Sequence, residues 1–296
     1  MKRIDMHTHT NASDGVFTAT ELIQYAHRKG LGGIAVTDHD TVEALAEARQ
    51  AALKFKDFWM LPGIEFSTED NTTEVHLLAY GINETDQRLT ELLQTLKESR
   101  FNRAGKIVGK LNDLGIDITY DQVKKIAGDG VVGRVHVARV LVALRAVPNV
   151  QEAFQRYLNQ GQPAYVPRYK LTPFDTIPLI HQLGGFSVLA HPALMNRDEL
   201  IPKLIESGLM GLEAYYPAHS HNEVQRYLRL AHRCGLLVTG GSDFHAPPKQ
   251  QIRESDLGQC SMPIEPIRRF YETLKTASKR DDNQKGEFHA ETTPEL

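Results

Sequence analysis

The sequence predicts an α/β fold in which parallel βα units are interrupted by a helical insertion. Short apolar runs of strand length alternate with helical stretches in the first 81 residues and again from residue 161. Alternation of this kind is typical of parallel sheets. Between these stretches the apolar residues keep helical spacing and form no convincing strand. Histidines and acidic residues follow several of the predicted strands directly.

Before the insertion, local signals delimit each element. Thr18 and Glu21 form a capping box that opens the first helix, and Gly30 ends it. The second helix is rich in alanine, and Pro62 and Gly63 follow the third strand. The predicted elements are strands at 2–6, 34–37, 58–61 and 74–80 and helices at 18–30 and 41–54.

The periodicity changes at about residue 82. Apolar residues from Leu89 to Leu114 keep helical spacing up to Gly115, and shorter helical segments follow to about Leu158. We therefore predict a helical cap domain at 82–160, inserted into a discontinuous domain of residues 1–81 and 161–278. The insertion has 12 Lys and Arg against 9 Asp and Glu, a charge of +3, while the remainder carries −6.

After the insertion the first pattern returns. Thr172 and Pro173 start a helix that Gly184 ends. The other predicted elements are strands at 186–190, 212–215 and 236–239, a short helix before the second of these strands, and helices at 222–234 and 265–276. The polar tail at 279–296 is predicted to be disordered.

Composition limits the class of protein. The 296 residues are 41% hydrophobic and 24% charged, which suits a soluble globular protein with an ample core. A net charge of −3 argues against a long nucleic-acid groove but allows a short phosphorylated substrate. Two cysteines imply no disulfide framework and favour a reducing compartment. Because we find neither an apolar signal region nor a membrane-spanning run, we expect a cytoplasmic protein without a membrane partner.

The positions of the polar residues predict a metal site. Six of them come where a predicted strand gives way to a loop: His7, His9, His39, His191, Asp243 and His245. In a barrel of parallel strands these ends form one face, so the side chains would converge. A satisfied surface histidine is the better explanation of any one of them alone, but not of six with acids nearby. Imidazole and carboxylate together suit manganese, iron or zinc.

Several motifs together resemble a known family. His7-Thr8-His9, Asp14-Gly15, Thr37-Asp38-His39, Gly63-Ile64-Glu65, Ala190-His191-Pro192 and Gly241-Ser242-Asp243-Phe244-His245 are similar to the ordered motifs of the PHP (polymerase and histidinol phosphatase) superfamily. The resemblance covers nearly the whole chain before the tail. It implies a distorted (β/α)7 barrel with a trinuclear metal centre, which we expect to hold two to three divalent metals, with manganese favoured over iron or zinc.

The resemblance also implies which residues hold each metal. One metal would take His7, His9, Glu65 and Asp243. A second would take His76 and His191 and share Glu65. A third would take Asp14, His39 and His245. Such a centre hydrolyses phosphoesters with metal-activated water, and we predict no protein nucleophile. Asp5, Asp38 and Asp40 are candidates to orient the ligand imidazoles, with turn formation or helix capping as an equal alternative.

The insertion narrows the substrate class. Residues 133–139, together with Tyr157-Leu158 and 162–167, resemble the bacterial group of 3',5'-nucleoside bisphosphate phosphatases and related 5'-to-3' exoribonucleases. This resemblance implies removal of the 3'-phosphate of a bisphosphorylated nucleoside, or cleavage of short 5'-phosphorylated RNA. Arg134 and His136 would bind the phosphate that is not hydrolysed. Arg168 and His219 are further candidates, with solvated loop positions as the alternative.

Two other functions remain open at this point. A histidinol-phosphate-type phosphatase acting on a small monoester shares the chemistry but should not need an arginine-bearing cap. A non-catalytic PHP module would hold metal for structure or support a polymerase, although the full ligand set and the lack of polymerase segments favour an enzyme. We expect a phosphorylated nucleotide or short RNA as the substrate, and we infer no obligate protein partner.

Overall fold

The fold is built around one mixed sheet. The computed structural model describes residues 2–128, 132–167, 171–248 and 255–288, without the side chains of Arg100 and 277–288. Its strands are β1 (Arg3–Asp5), β2 (Gly33–Val36), β3 (Trp59–Asp70), β4 (Thr73–Tyr80), β5 (Phe186–Leu189), β6 (Gly211–Tyr215), β7 (Leu237–Gly240) and β8 (Met262–Pro263). Their order in the sheet is β7-β6-β5-β4-β3-β2-β1-β8.

Helices pack against this sheet and also form the long connection between β4 and β5. In the described residues they are α1 (Ala19–Arg28), α2 (Leu45–Ala52), α3 (Gln87–Asp113), α4 (Tyr120–Ala127), α5 (Arg134–Ala143), α6 (Val150–Ala153), α7 (Pro173–Gln182), α8 (Pro192–Met195), α9 (Ile201–Glu206), α10 (His221–Cys234) and α11 (Ile264–Phe288). A π-helical turn, Phe154–Leu158, continues α6, and a 3-10 turn, Asp198–Leu200, precedes α9. The predicted capping box of Thr18 and Glu21 is confirmed at the start of α1.

The sheet curves into a nearly closed barrel. The N–H of Met6 donates to the carbonyl of Gly240 at 3.2 Å, which brings the chain after β1 against the end of β7. Thr8 and Phe244 form a parallel bridge just beyond these strands. The predicted α/β barrel is therefore confirmed, and the loops that follow β1 and β7 meet at one mouth.

The sequence pattern indicated parallel units throughout, but the sheet also contains antiparallel pairs. β3 pairs antiparallel with β4, and β4 pairs antiparallel with β5. A two-residue connection joins Asp70 to Thr73, and such a short connection can only form an antiparallel hairpin. Asn71 in this turn has φ 55°, a conformation that asparagine tolerates well. His76 therefore lies on an antiparallel strand of this hairpin.

β3 is much longer than predicted because Pro62 and Gly63 do not end it. Pro62 still accepts a hydrogen bond from the N–H of Gly81 at 2.8 Å. A Cβ at Gly63 would lie 2.9 Å from Cγ2 of Thr37, so glycine is needed where the two strands approach. The extension carries Glu65 beyond this point to the mouth of the barrel.

The barrel and the helical segment each have an apolar core of their own. Ile4, Leu61, Tyr80 and Phe186 belong to a cluster that draws on β1, β3, β4 and β5 and on the start of α11. A different cluster draws on α3, α4, α5 and the segment after them, up to Val166. Full burial of one such aliphatic side chain stabilises the fold by about 1.5–3 kcal/mol.

α3 joins the helical segment to the barrel. Leu89 near its start packs in a cluster with residues of β3, β4 and α7, whereas Leu111 near its end packs with α4 and α5. At the other end of the chain, α11 continues past residue 279, where the sequence predicts a disordered tail, and 289–296 lie outside the described residues. Among the described helices, none is both long enough and apolar enough to cross a bilayer.

Candidate metal centre

The mouth of the barrel gathers all nine predicted ligands. His7 and His9 follow β1, His39 follows β2, and His191 follows β5. Glu65 and His76 lie on the β3–β4 hairpin, Asp14 lies in the loop before α1, and Asp243 and His245 follow β7. Most lie at the C-terminal ends of strands, as the sequence pattern indicated. His76 lies in the first half of β4, and because β4 runs antiparallel to β3, this half is at the same edge of the sheet as the C-terminal part of β3.

Glu65 is the centre of this arrangement. Its side chain is fully buried, and five imidazoles approach it. Oε1 lies 3.0 Å from Nδ1 of His76 and 3.2 Å from Nε2 of His191. Oε2 lies 3.2 Å from Nε2 of His7, 3.3 Å from Nε2 of His9 and 3.1 Å from Nδ1 of His39. The two oxygens thus divide the imidazoles into two sets, as a bridging carboxylate would.

The ligand atoms form three overlapping groups, each within 4.8 Å. They are His7, His9, Glu65 and Asp243; then His39, Glu65 and His76; then His9, Asp14, His39 and His245. The first group coincides with the set that the family resemblance implied. In the others, His39 also approaches Glu65 and His9 joins the third group, while His191 contacts Glu65 without joining a group.

Several ligand atoms are buried without a hydrogen bond among the described residues. They include Nε2 of His7, both ring nitrogens of His9, Nδ1 of His39, Oδ1 of Asp14 and Oε2 of Glu65. A buried polar atom without a partner is costly, and native proteins rarely tolerate several in one place. Nitrogen and carboxylate oxygen atoms facing one another at these distances fit divalent metal ions. The residues present therefore suit the metal centre that the sequence predicts.

Electrostatics at the mouth favour positive charge. Burial alone would lower the pKa of His9, but the neighbouring carboxylates of Asp243 and Glu65 raise it to about 10. Burial would raise the pKa of Glu65, but His39, His7 and His76 hold it well below its usual range. By contrast, burial outweighs Glu65 and Asp14 at His39 and lowers its pKa to about 4. Carboxylates that hold a proton on His9 attract a metal cation by the same field.

Three residues of the mouth have a left-handed backbone. The φ angle is 27° at His191 and 51° at both Asp40 and Asp243. Such a conformation costs about 1–3 kcal/mol in a residue other than glycine, and it concentrates at functional sites.

Tyr216 donates from its hydroxyl to Oδ2 of Asp243 at 2.9 Å and so fixes that carboxylate.

Glu213 contacts the candidate ligands but is absent from the residues that the sequence analysis predicted. It lies on β6, is fully buried and contacts Nδ1 of His7 at 3.1 Å. The N–H of His191 donates to its Oε2 at 2.8 Å. A signal was present, because Glu213 stands between Leu212 and Ala214 in a predicted apolar strand, where a lone carboxylate needs a partner.

The three aspartates predicted to orient imidazoles have other contacts. Asp5 accepts from the N–H and hydroxyl of Ser242 at 2.9 and 2.6 Å. Asp38 accepts from the N–H and hydroxyl of Thr10, both at 2.7 Å. Asp40 accepts from the N–H of Ser67 at 2.9 Å. These carboxylates therefore fix the backbone of the segments that carry the ligands, which is closer to the alternative of turn formation.

A cleft of about 1030 Å³ opens over the candidate ligands. Its far wall comes from the helical segment and includes Val135, Arg139 and Val142. These residues are spaced i, i+4 and i+7, so one face of α5 looks into the cleft. Nη2 of Arg139 donates to the backbone carbonyl of Asp14 at 3.1 Å. Arg139 thus reaches the loop that carries the candidate ligand Asp14.

The predicted phosphate-binding residues lie elsewhere on α5 and beyond. Arg134 is outside the cleft lining; its Nη2 pairs with Oε1 of Glu74 at 3.0 Å, and Glu74 lines the cleft. His136 is buried, and its Nδ1 accepts from the N–H of Gly133 at 3.0 Å. Arg168 lies outside the described residues.

His219 does not present a nitrogen to the cleft. It is 9% exposed, and its Nδ1 donates to the carbonyl of Ala214 at 3.0 Å. Its Nε2 accepts from the N–H of Ala193 at 3.4 Å. With both nitrogens engaged by backbone, this side chain supports the start of α8, and the structure offers no atom of it to a substrate phosphate.

Comparison with known proteins agrees with this geometry. A family model described as the PHP domain matches residues 5–160. A 5'-3' exoribonuclease of Haemophilus influenzae is 37% identical, over 83% of this chain and 91% of that protein. A 3',5'-nucleoside bisphosphate phosphatase of Chromobacterium violaceum is 34% identical, over 83% of this chain and 88% of that protein.

A solved structure shares the fold. The crystal structure of a protein from Bifidobacterium adolescentis, described as a metal-dependent phosphoesterase, superimposes with a TM-score of 0.81 at 30% identity. The match covers 90% of this chain and 94% of that one.

Proposed function

The chain belongs to the PHP domain family and is a metal-dependent phosphoesterase, and from this premise we propose that it acts on nucleotides that carry two phosphates. It removes the 3'-phosphate of a 3',5'-bisphosphorylated nucleoside and cleaves short 5'-phosphorylated oligoribonucleotides from the 5' end. Both reactions need the same geometry, a fixed 5'-phosphate and a 3'-phosphoester at the metal centre. The relatives named for these two activities support the pairing.

The centre, in this proposal, holds two to three divalent metals, with manganese favoured over iron or zinc. Glu65 would be shared between neighbouring metals, because its two oxygens face separate sets of imidazoles. Bound divalent cations would neutralise phosphoryl charge, stabilise the leaving oxygen and lower the pKa of water. Most of the ligands are histidines, which would bind as neutral imidazoles, so the carboxylates of Asp14, Glu65 and Asp243 would offset only part of the metal charge and leave the positive charge that attracts a phosphate.

One observation carries the choice of substrate. The cleft has the ligand cluster on one wall and Arg139 on the other, next to Asp14. Because a guanidinium can fork onto two phosphate oxygens, we propose that Arg139 holds a phosphate that is not being hydrolysed. We therefore extend the sequence-based assignment from Arg134 to Arg139, and we propose that His136 acts indirectly by fixing the start of α5.

Arg134 remains part of the proposal in a second position. It stands one residue before the cleft-facing stripe of α5 and reaches the rim through Glu74. A substrate phosphate at the rim would compete with Glu74 for this guanidinium. The cleft, at about 1030 Å³, is at the upper end of the common range for ligand pockets, about 300–1,000 Å³, which suits a substrate larger than a small monoester.

The compartment is also a proposal. Cys234 and Cys260 are both free, which fits the reducing cytoplasm that the sequence composition favoured.

A phosphate-release panel tests the proposed substrate. With manganese present, adenosine 3',5'-bisphosphate should be hydrolysed with a kcat/KM at least about tenfold above that of adenosine 3'-monophosphate, because one charge-assisted contact is worth about 1.5–3 kcal/mol. Short RNA with a 5'-phosphate should likewise be cleaved faster than the same RNA with a 5'-hydroxyl. A preference for histidinol phosphate, or equal rates on mono- and bisphosphates, would contradict the proposal.

A further inference from the structure

Glu213 contacts two separate parts of the metal centre at once. It lies on β6, fully buried, beneath the loops that carry the candidate ligands. Nδ1 of His7 lies 3.1 Å from its Oε1 and 3.3 Å from its Oε2. The backbone N–H of His191 donates to its Oε2 at 2.8 Å. Glu213 therefore contacts both His7, which faces Oε2 of Glu65, and His191, which faces Oε1 of Glu65.

The contact with His7 decides which ring nitrogen can bind metal. An ionised carboxylate only accepts, so Nδ1 of His7 must carry the proton that it donates to Glu213. In the neutral ring that metal binding requires, Nε2 then carries the lone pair, and it is Nε2 that lies 3.2 Å from Oε2 of Glu65 and 3.4 Å from Oδ1 of Asp243. A carboxylate behind a ligand imidazole fixes its tautomer and orientation in this way.

The contact with His191 stabilises an unfavourable backbone. His191 has φ 27° and ψ 58° and directly precedes α8. Its N–H is a partly buried donor in a strained turn, and the carboxylate of Glu213 accepts that hydrogen bond. This conformation places Nε2 of His191 at 3.2 Å from Oε1 of Glu65.

The space around Glu213 leaves it little freedom. A Cβ at Gly241 would lie 2.3 Å from Cβ of His7 and 2.9 Å from Oε1 of Glu213. Gly241 therefore lets the chain after β7 pass closely over both groups. The carboxylate is thus held between His7, His191 and this glycine.

We propose that Glu213 is a positioning residue that sets the tautomer of His7, holds the backbone of His191 and thereby couples metal binding on the two sides of Glu65. This inference rests on the proposed metal centre. It assigns to Glu213 no contact with substrate or with the reacting atoms.

The substitution Glu213→Gln separates this role from simple space filling. The amide has nearly the same shape, but its NH2 group can only donate, so the acceptor positions at Oε1, 3.1 Å from Nδ1 of His7, and at Oε2, 2.8 Å from the N–H of His191, cannot both be kept. If the oxygen serves His191, the amide NH2 faces His7 and requires a lone pair at Nδ1, which moves the proton to Nε2 and blocks metal binding there. If the oxygen serves His7, the N–H of His191 loses its acceptor.

The experiment measures metal binding without relying on turnover. Metal-free wild-type and E213Q proteins are titrated with Mn²⁺ against a chelator, and bound metal is counted after dialysis. We expect about 10- to 100-fold weaker affinity in E213Q for at least one ion, with an unchanged far-ultraviolet circular dichroism spectrum. Thr239→Val is the matched control, because Thr239 is the fully buried partner of Glu213 in the β6–β7 register, and it should bind metal as wild type does.

A second measurement uses the wild-type protein and so does not depend on the folding of a variant. In the Zn²⁺-loaded protein, long-range ¹H–¹⁵N spectra should show His7 with a protonated Nδ1 and a metal-bound Nε2. A proton on Nε2 would overturn the assignment, as would wild-type affinity in E213Q or an equal loss in Thr239→Val. Wild-type protein that binds no divalent metal would overturn the proposed function as well.

Discussion

Nη2 of Arg139 lies 3.1 Å from the backbone carbonyl oxygen of Asp14. The contact joins a helix of the inserted segment to the loop that carries a candidate metal ligand. It also leaves the rest of the guanidinium facing the cleft, which Arg139 lines. The position of this one cation links the helical segment to the chemistry at the mouth of the barrel.

Arg139→Ala should therefore impair selection of the second phosphate. We expect kcat/KM for adenosine 3',5'-bisphosphate to fall by about 10- to 100-fold, the value of one or two charge-assisted hydrogen bonds, with little change for a generic aryl phosphate. Steady-state kinetics on both substrates measure this. Lys125→Ala, an exposed cation on α4, is the control. An equal loss on both substrates would show that Arg139 supports the Asp14 loop instead.

Glu74→Gln should free Arg134 for a phosphate at the rim of the cleft. The ion pair is partly exposed, so its removal changes the interaction by up to about 1 kcal/mol, or about fivefold. We expect KM for 5'-phosphorylated RNA to fall by that amount and KM for the 5'-hydroxyl form to stay constant. An unchanged or higher KM for the phosphorylated form would exclude Arg134 from the phosphate site.

His191→Ala should remove hydrolysis with little effect on the fold. His191 contacts Glu65 through Nε2, and loss of a ligand costs more than the about 100-fold expected for a residue behind the ligands. Phosphate release and thermal unfolding measure the two effects. His232→Ala, an exposed histidine on α10, should alter neither. Activity retained in His191→Ala would refute its place in the metal centre.

Metal binding should release protons. In the metal-free protein, burial would lower the pKa of His9, but Asp243 and Glu65 raise it to about 10, so below that pH the ring carries a proton. A metal must displace this proton, and affinity for Mn²⁺ should therefore rise as the pH rises from about 6 to about 9. Calorimetry in buffers with different ionisation enthalpies gives the proton count. Binding without proton release near neutral pH would contradict the assignment of His9.

The barrel and most of the site follow from local patterns. Histidines at strand ends, such as His39 and His191, can be recognised in the sequence because an apolar run, a polar cluster and a helix start follow one another in the chain. Capping residues and glycines located α1 and α7 for similar local reasons. Each of these signals is contained within a few residues.

What the sequence did not reveal depends on contacts between distant segments. Pro62 and Gly63 usually end a strand, but here β3 continues through them because Pro62 pairs with Val36 of β2 and Gly63 with Tyr80 of β4. The sequence analysis predicted Arg134 because it opens a recognisable motif. Arg139 belongs to the face of α5 that lines the cleft, and which face that is depends on the position of the barrel opposite it. Glu213 has no neighbouring motif, and its role depends on His7, which lies more than two hundred residues earlier in the chain.

The number of metal ions bound per chain tests the central claim most directly. Wild-type protein reconstituted with manganese, dialysed and measured by inductively coupled plasma mass spectrometry should retain two to three ions, and Glu65→Gln, which removes one bridging oxygen, should retain at most one. Fewer than one ion in the wild type, or the same number in Glu65→Gln, would contradict a metal centre organised by Glu65.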